Sequence, residues 1–236
     1  MYILGIETTG KIGSVSIMDE NKECVSRFTT DSMSHLRELT PMIKESAEEL
    51  KISLEQIDII AVSVGPGSFT GIRIGVTTAR TLAQTLNKKC ISISSLEIFR
   101  EKAGAENKAA VIYNARRGQV YGAIYGNKGE EILKPGPYML DEVIAAGEQY
   151  GDIIWYGDGV TAYAEKLKEM KTASSDELNQ NAEMVCRLAY EKYRHRQIVE
   201  FDELLPDYMR LAEAEQKLRD GTLAKQREDK MKRFKI

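Results

Sequence analysis

The segment that most narrows the fold runs from Ile57 to Leu86. A β-rich stretch, Ile57 to Val64, passes through Gly65-Pro66-Gly67-Ser68-Phe69-Thr70-Gly71-Ile72-Arg73-Ile74-Gly75 into helical spacing at Val76, Ala79, Ala83 and Leu86. Four glycines in eleven residues allow turns closed to residues with a Cβ and bring backbone amides close together. Three short β-like runs precede this unit: Tyr2 to Glu7, Ser14 to Met18 and Cys24 to Thr30, separated by turn residues as in an antiparallel meander. Ser34 to Leu50 changes period, with Leu36, Leu39, Met42, Ile43, Ala47 and Leu50 on one helical face. Pro41 falls inside that pattern and predicts a kink or a late start. A strand from Lys89 to Ser94 and a helix from Ser95 to Ala103 complete the order βββαβα. Strands that alternate with helices after a meander imply a mixed sheet covered by helices.

A second lobe begins near Ala109, where AAVIYNARRGQVYGAIYG repeats the strand, polar turn, strand shape of LGIETTGKIGSVSIM. A weak strand at Glu131 to Leu133 follows, then a helix after Asp141, a strand at Ile153 to Tyr156, and helical stretches at Val160 to Met170 and Asn181 to Tyr193. The predicted α/β chain is thus two-lobed with an abbreviated second lobe, divided as 1–105, 106–215 and a basic tail at 216–236. The tail carries eight Lys/Arg against three acids, a local charge of +5 within a chain of formal charge −3. So weak an overall charge excludes nucleic-acid binding by bulk electrostatics and leaves only local patches. The tail is either a solvated end or an arm whose Lys225, Arg227, Lys230, Lys232, Arg233 and Lys235 touch RNA phosphates.

The three cysteines, Cys24, Cys90 and Cys186, are far apart without CxxC spacing, which argues against a disulfide framework or a thiolate zinc site. No stretch approaches the roughly 18 apolar residues of a membrane span. Met1 to Glu7 reaches a carboxylate without a basic stretch before it, so no secretory leader is expected and a cytoplasmic setting is. His35 and His195, the two histidines, stand 160 positions apart with no HxxxH or HExxH pattern, which speaks against a metal site. GxSxG is absent and no serine has a neighbouring histidine, so a serine hydrolase gains no support.

Two groups of residues remain as site candidates. The glycine turn lacks a Walker Lys-Ser/Thr pair and GxGxxG spacing. It either serves only a strand-to-helix turn or holds an anion or nucleotide through Gly67, Ser68 and Thr70, with Glu7, Thr8 and Thr9 at the end of the first strand reaching a phosphate-bound magnesium through water. The helix beginning at Gly71 carries small residues that admit a second helix closely. Its apolar positions, with those of the first helix, either fill the chain's own core or leave a face that buries itself in a partner. In the second lobe, Asn114-Ala115-Arg116-Arg117-Gly118 offers two arginines that either pair with surface acids or bind phosphate or a carboxylate.

ETT after the first strand, SHLRELTPMI, GPGSFTGIRIG, NARRGQVY and PDYMR, in this order over residues 1–215, resemble the bacterial TsaB (YeaZ) family of tRNA threonylcarbamoyladenosine biosynthesis. The resemblance implies the actin-like ATPase fold, two ribonuclease H-like lobes with mixed sheets flanked by helices. It implies a subunit without catalytic residues that is similar to the catalytic subunit TsaD but lacks its metal-binding histidines. The partners implied are TsaD and the ATPase TsaE, which with this subunit transfer threonylcarbamoyl to the adenosine beside the anticodon of tRNAs reading ANN codons. A homodimer is implied when the subunit is alone. By position, the partner surface implied comprises His35, Leu36, Leu39, Ile43, Gly71, Ile72, Gly75, Val76 and Ala79. No cofactor is expected, and nothing in the sequence supports ATP or ADP at the subunit contact. Asn114 stands where many relatives have Asp, which removes a charge from that turn. Against this reading stand a self-sufficient actin-fold ATPase or small-molecule kinase using Glu7 and the glycine turn, and a metallopeptidase, the weakest given two distant histidines.

Overall fold

A computed structural model describes residues 1–31, 34–104, 106–174 and 181–209. The basic residues named for RNA contact, Lys225 to Lys235, lie outside the described residues. The meander forms β1 (Ile3–Glu7), β2 (Ser14–Met18) and β3 (Cys24–Phe28), all antiparallel neighbours. On the other side of β1, the crossover strands β4 (Ile59–Gly65) and β5 (Lys89–Ser94) add in parallel, giving the order β3-β2-β1-β4-β5.

Strand periodicity sends alternate residues to opposite faces. Leu4, Ile6, Val15 and Ile17 meet α1 (His35–Glu49) and α2 (Phe69–Leu86) through Leu39, Ile43, Ala47, Ile72, Val76 and Ala79. On the opposite face, Ile3, Met18, Ile59 and Ile91 pack on Ile98 of α3 (Ser95–Ala103) and on Val185, Cys186 and Ala189 of α7 (Ala182–Arg194). Helix α7 lies so close that a Cβ at Gly5 would come within 2.6 Å of the Ala182 carbonyl oxygen and the Cys186 sulfur.

The second sheet, β8-β7-β6-β9, repeats the plan with four strands. β6 (Lys108–Asn114) and β7 (Gln119–Tyr125) are an antiparallel hairpin, β8 (Glu131–Met139) extends it antiparallel, and β9 (Ile153–Tyr156) joins β6 in parallel. Helix α4 (Leu140–Glu148) and the short α5 (Asp158–Ala162) and α6 (Ala164–Leu167) cover one face through Leu140, Val143, Val160 and Leu167. The other face receives Leu96, Phe99 and Ala103 of α3, so α3 is shared between the two sheets. Two sheets of ribonuclease H-like order flanked by helices make this the actin-like ATPase architecture, with the second lobe one strand short.

Four sequence expectations change. Helix α1 begins at His35, not late, because Pro41 falls on its exposed face, where water can take the bond that the missing N–H leaves open. The strand expected only at Glu131 to Leu133 continues to Met139 through Pro135 and Pro137, since β8 is a sheet edge and needs no ladder donors on its outer side. The helical stretch Val160 to Met170 divides into α5 and α6. Residues 181–209, placed by sequence order with the second lobe, return to the first sheet: α7 covers one face, and the following segment crosses the other, where Cys90 and Val199 exchange both backbone hydrogen bonds at 2.9 Å and Leu204 enters the core.

Candidate functional site

The end of β1 and the glycine turn meet at the first sheet's carboxyl edge. Glu7 and Thr8 are fully buried and Thr9 is 2% exposed. Glu7 Oε1 accepts from the Thr9 backbone N–H at 2.5 Å and from the Thr9 hydroxyl at 2.6 Å. Thr9 Oγ1 lies 2.9 Å from Ser95 Oγ, which lies 2.8 Å from Ser63 Oγ. Each hydroxyl has one proton. With the Thr9 proton given to Glu7, Ser95 must donate to Thr9 and Ser63 to Ser95, a directed relay that ends on the carboxylate. Tyr113 of β6 reaches the same place, its hydroxyl donating to the Ser95 carbonyl at 3.4 Å. Complete burial pushes its phenol well up, and the Glu7 carboxylate adds to this, so Tyr113 remains a neutral donor.

The glycine turn folds onto this strand end. Thr8 donates its hydroxyl to the Gly71 carbonyl at 2.7 Å, and the Ser68 N–H donates to the Thr9 carbonyl at 2.8 Å. Gly71 lies directly against the Thr8 carbonyl oxygen, with no room for a side chain. Ser68 Oγ caps α2 by accepting from the Gly71 N–H at 3.2 Å. Ser68 and Thr70 are exposed and Gly67 is half-buried against Thr9. Glu7 Oε1, Thr8 and Thr9 are thus engaged by one another and by the glycine turn, whereas Ser68 and Thr70 face outward.

The nine residues placed at the partner surface separate into two groups. His35, Leu39, Ile43, Gly71, Ile72, Gly75, Val76 and Ala79 are buried within the chain. The apolar stripe of each helix faces the sheet, as amphipathic packing requires, and only Leu36, 74% exposed, is free. Exposed on these helices are Leu36, Thr40 and Lys44 of α1 and Phe69, Arg73 and Thr77 of α2. His35 packs beside Gly13 with Nε2 unpartnered among the described residues, whereas His195 is exposed with Nδ1 2.8 Å from the Glu191 carbonyl.

The 206–209 segment, which the sequence marks only as part of the PDYMR motif, locks the α2 N-terminus. The Asp207 N–H donates to the Val64 carbonyl at 2.8 Å, and the Tyr208 ring lies 4.7 Å from that of Phe69. Arg73 donates Nε to the Tyr208 hydroxyl at 3.0 Å while its guanidinium stands 4.0 Å over the Phe69 ring. The only local signal is an aromatic after Pro206; its target lies 135 residues earlier. In the second lobe, Arg116 and Arg117 are exposed and both adopt positive φ, 68° and 53°. Asn114 Oδ1 braces this turn by accepting from the Arg116 N–H at 2.8 Å and the Tyr163 hydroxyl at 3.0 Å.

Comparison with known proteins points one way. The profile of the family described as TsaD, tRNA N6-adenosine threonylcarbamoyltransferase, matches residues 29–216. The tRNA threonylcarbamoyladenosine biosynthesis protein TsaB of Bacillus subtilis is 27% identical over 92% of this chain and 97% of its own length. The Haemophilus influenzae protein of the same name is 30% identical over 89% of this chain and 94% of its own. A crystal structure of an uncharacterised Pseudomonas aeruginosa protein with similarity to peptidase YeaZ superposes with a TM-score of 0.79 at 26% identity, covering 89% of this chain and 99% of that one.

Proposed function

This chain belongs to the TsaB (YeaZ) family, and on that premise we propose that it serves tRNA threonylcarbamoyladenosine biosynthesis as a subunit that shapes a TsaD-like enzyme and performs no chemistry itself. The observation that carries this reading is the closed strand end. Where an actin-like lobe would offer a carboxylate, hydroxyls and a glycine turn to a nucleotide, Glu7 Oε1 takes Thr9, the Ser68 N–H takes the Thr9 carbonyl and Thr8 takes the Gly71 carbonyl. The match to the TsaD profile over 29–216 supports a partner that is structurally similar, as paired subunits of common ancestry are.

The contact is assigned to the outward face of α1 and α2, centred on Leu36 and Phe69 with Thr40, Arg73 and Thr77 around them. An exposed leucine and a half-exposed aromatic on adjacent helices suit a helical bundle with the partner or, in its absence, with a second copy. A TsaE-like ATPase completes the assembly, and its product is the modified adenosine beside the anticodon of tRNAs reading ANN codons. Reconstitution tests this. Threonylcarbamoyl transfer from its adenylate to such a tRNA is measured with all three proteins and with each omitted. Loss of transfer on omitting this chain, and none with this chain alone, is the expected outcome. Transfer by this chain without the TsaD-like protein overturns the proposal.

A further inference from the structure

A crevice of about 330 Å3 opens between α3 and the β7–β8 hairpin, on the seam of the two lobes, lined among others by Glu97, Arg100, Glu101, Tyr125 and Glu131. Tyr125 is 4% exposed, yet its hydroxyl has no hydrogen-bond partner among the described residues. The same is true of Arg100 Nε, buried beside Gly129. Buried donors are almost always paired. Both residues line this crevice, and oxygen acceptors held in it would give each donor a partner.

The charges of the lining restrict what can carry that oxygen. Glu97 is already committed, accepting from Lys192 Nζ at 2.9 Å and from the Ser94 N–H at 3.1 Å. Glu101 and Glu131 are exposed and have no ion pair among the described residues. A simple anion at Arg100 would meet these two carboxylates, and a simple cation between the carboxylates would leave both donors unsatisfied. Burial, with help from Glu97 and Glu131, pushes the Tyr125 phenol far up, so it remains a donor at neutral pH. The volume admits a molecule of amino-acid size with some water, since each water takes about 30 Å3.

We propose that this crevice binds a small zwitterion of the free amino-acid class, its carboxylate between Arg100 and Tyr125 and its ammonium towards Glu101 and Glu131. The site is separate from the helix face assigned to the partner and does not depend on that assignment. Bound ligand would bridge α3 to the second sheet and so hold the lobes together.

Calorimetric titration of the full chain with L-threonine and L-alanine, beside propionate and propylamine, tests the proposal. The amino acids are expected to bind at concentrations of about 10 mM or below, and the two half-ligands about tenfold more weakly. Tyr125→Phe should keep its melting temperature or raise it, because the lost hydroxyl bonds nothing within the protein, while its amino-acid affinity falls about fivefold. Arg100→Gln should lower that affinity further. The proposal is overturned by no amino-acid binding, by propionate or propylamine binding equally well, by both variants binding like the wild type, or by a fall in the melting temperature of Tyr125→Phe.

Discussion

The relay from Ser63 through Ser95 and Thr9 to Glu7 makes a quantitative demand on stability. Ser63→Ala removes one buried hydrogen bond and should cost about 1 kcal/mol, because Ser95 still donates to Thr9. Ser95→Ala breaks two links. It strands the Ser63 proton and removes the Ser95 bond to Thr9, which together should cost about 2–3 kcal/mol, a stranded buried group being worth about 1–3 kcal/mol and a lost hydrogen bond about 1 kcal/mol. In the double variant there is no longer a stranded Ser63 proton, so its cost should be no greater than that of Ser95→Ala alone. The coupling is then about 1 kcal/mol, well outside the roughly 0.5 kcal/mol within which independent sites add. Urea unfolding of the four proteins reads this from midpoints at constant slope. Heating provides a check, since 1 kcal/mol moves the midpoint by about 2–4 °C for a chain of this size. Simple additivity would refute the directed relay, and with it the argument that these groups are occupied by one another.

Other perturbations have equally definite outcomes. Leu204, 1% exposed in the core of the first lobe, should cost about 2–5 kcal/mol on truncation to Ala; a loss under about 0.5 kcal/mol in urea would show that the C-terminal segment does not hold the first lobe. The Thr30 backbone N–H and hydroxyl, each 2.9 Å from the Glu38 carboxylate, hold its pKa at about 2 in place of 4.5. The stability this gives is complete above the ordinary carboxylate value and is lost as pH falls through about 2, so Glu38→Gln should flatten the stability profile between those pH values; an unchanged slope would contradict it. Deletion of residues 216–236 should leave association with the TsaD-like partner intact and weaken tRNA binding at low salt, read by filter binding across a salt series; unchanged RNA affinity would retire a role for the tail.

How far the sequence reveals this molecule depends on whether a feature is local. The switch from a period of two at Ile3–Glu7 to a helical period at Leu39, Ile43 and Ala47 reports the first lobe's elements almost residue by residue, because burial on one face dictates both patterns. The same pattern is silent on what lies against that face. Leu39, Ile43, Ile72 and Val76 suit a partner or a sheet equally, and only the folded chain shows that the sheet takes them and leaves Leu36 outside. The glycine turn is similar: glycines that could bare amides to an anion here let Gly71 approach the Thr8 carbonyl, a distinction set by a strand more than sixty residues away. Edge position rescues Pro135 and Pro137 as strand residues, and that too is a property of the sheet. Tyr208 on Phe69 and Arg73 on Tyr208 are long-range contacts for which composition offers no periodic trace.

On the proposed reading this chain works through the exposed Leu36 of α1 and its neighbours, which meet the partner. The most direct measurement is the affinity of the Leu36→Glu variant for the purified TsaD-like subunit, by analytical ultracentrifugation, with threonylcarbamoyl transfer assayed on the same mixtures. Leu36 is 74% exposed, so the variant should unfold within about 0.5 kcal/mol of the wild type. Burying a leucine is worth about 1.5–3 kcal/mol, and a charge in its place adds to the deficit. Association at least tenfold weaker, with transfer lost in proportion, is the result expected; a folded variant that binds and activates its partner as the wild type does would contradict the claim.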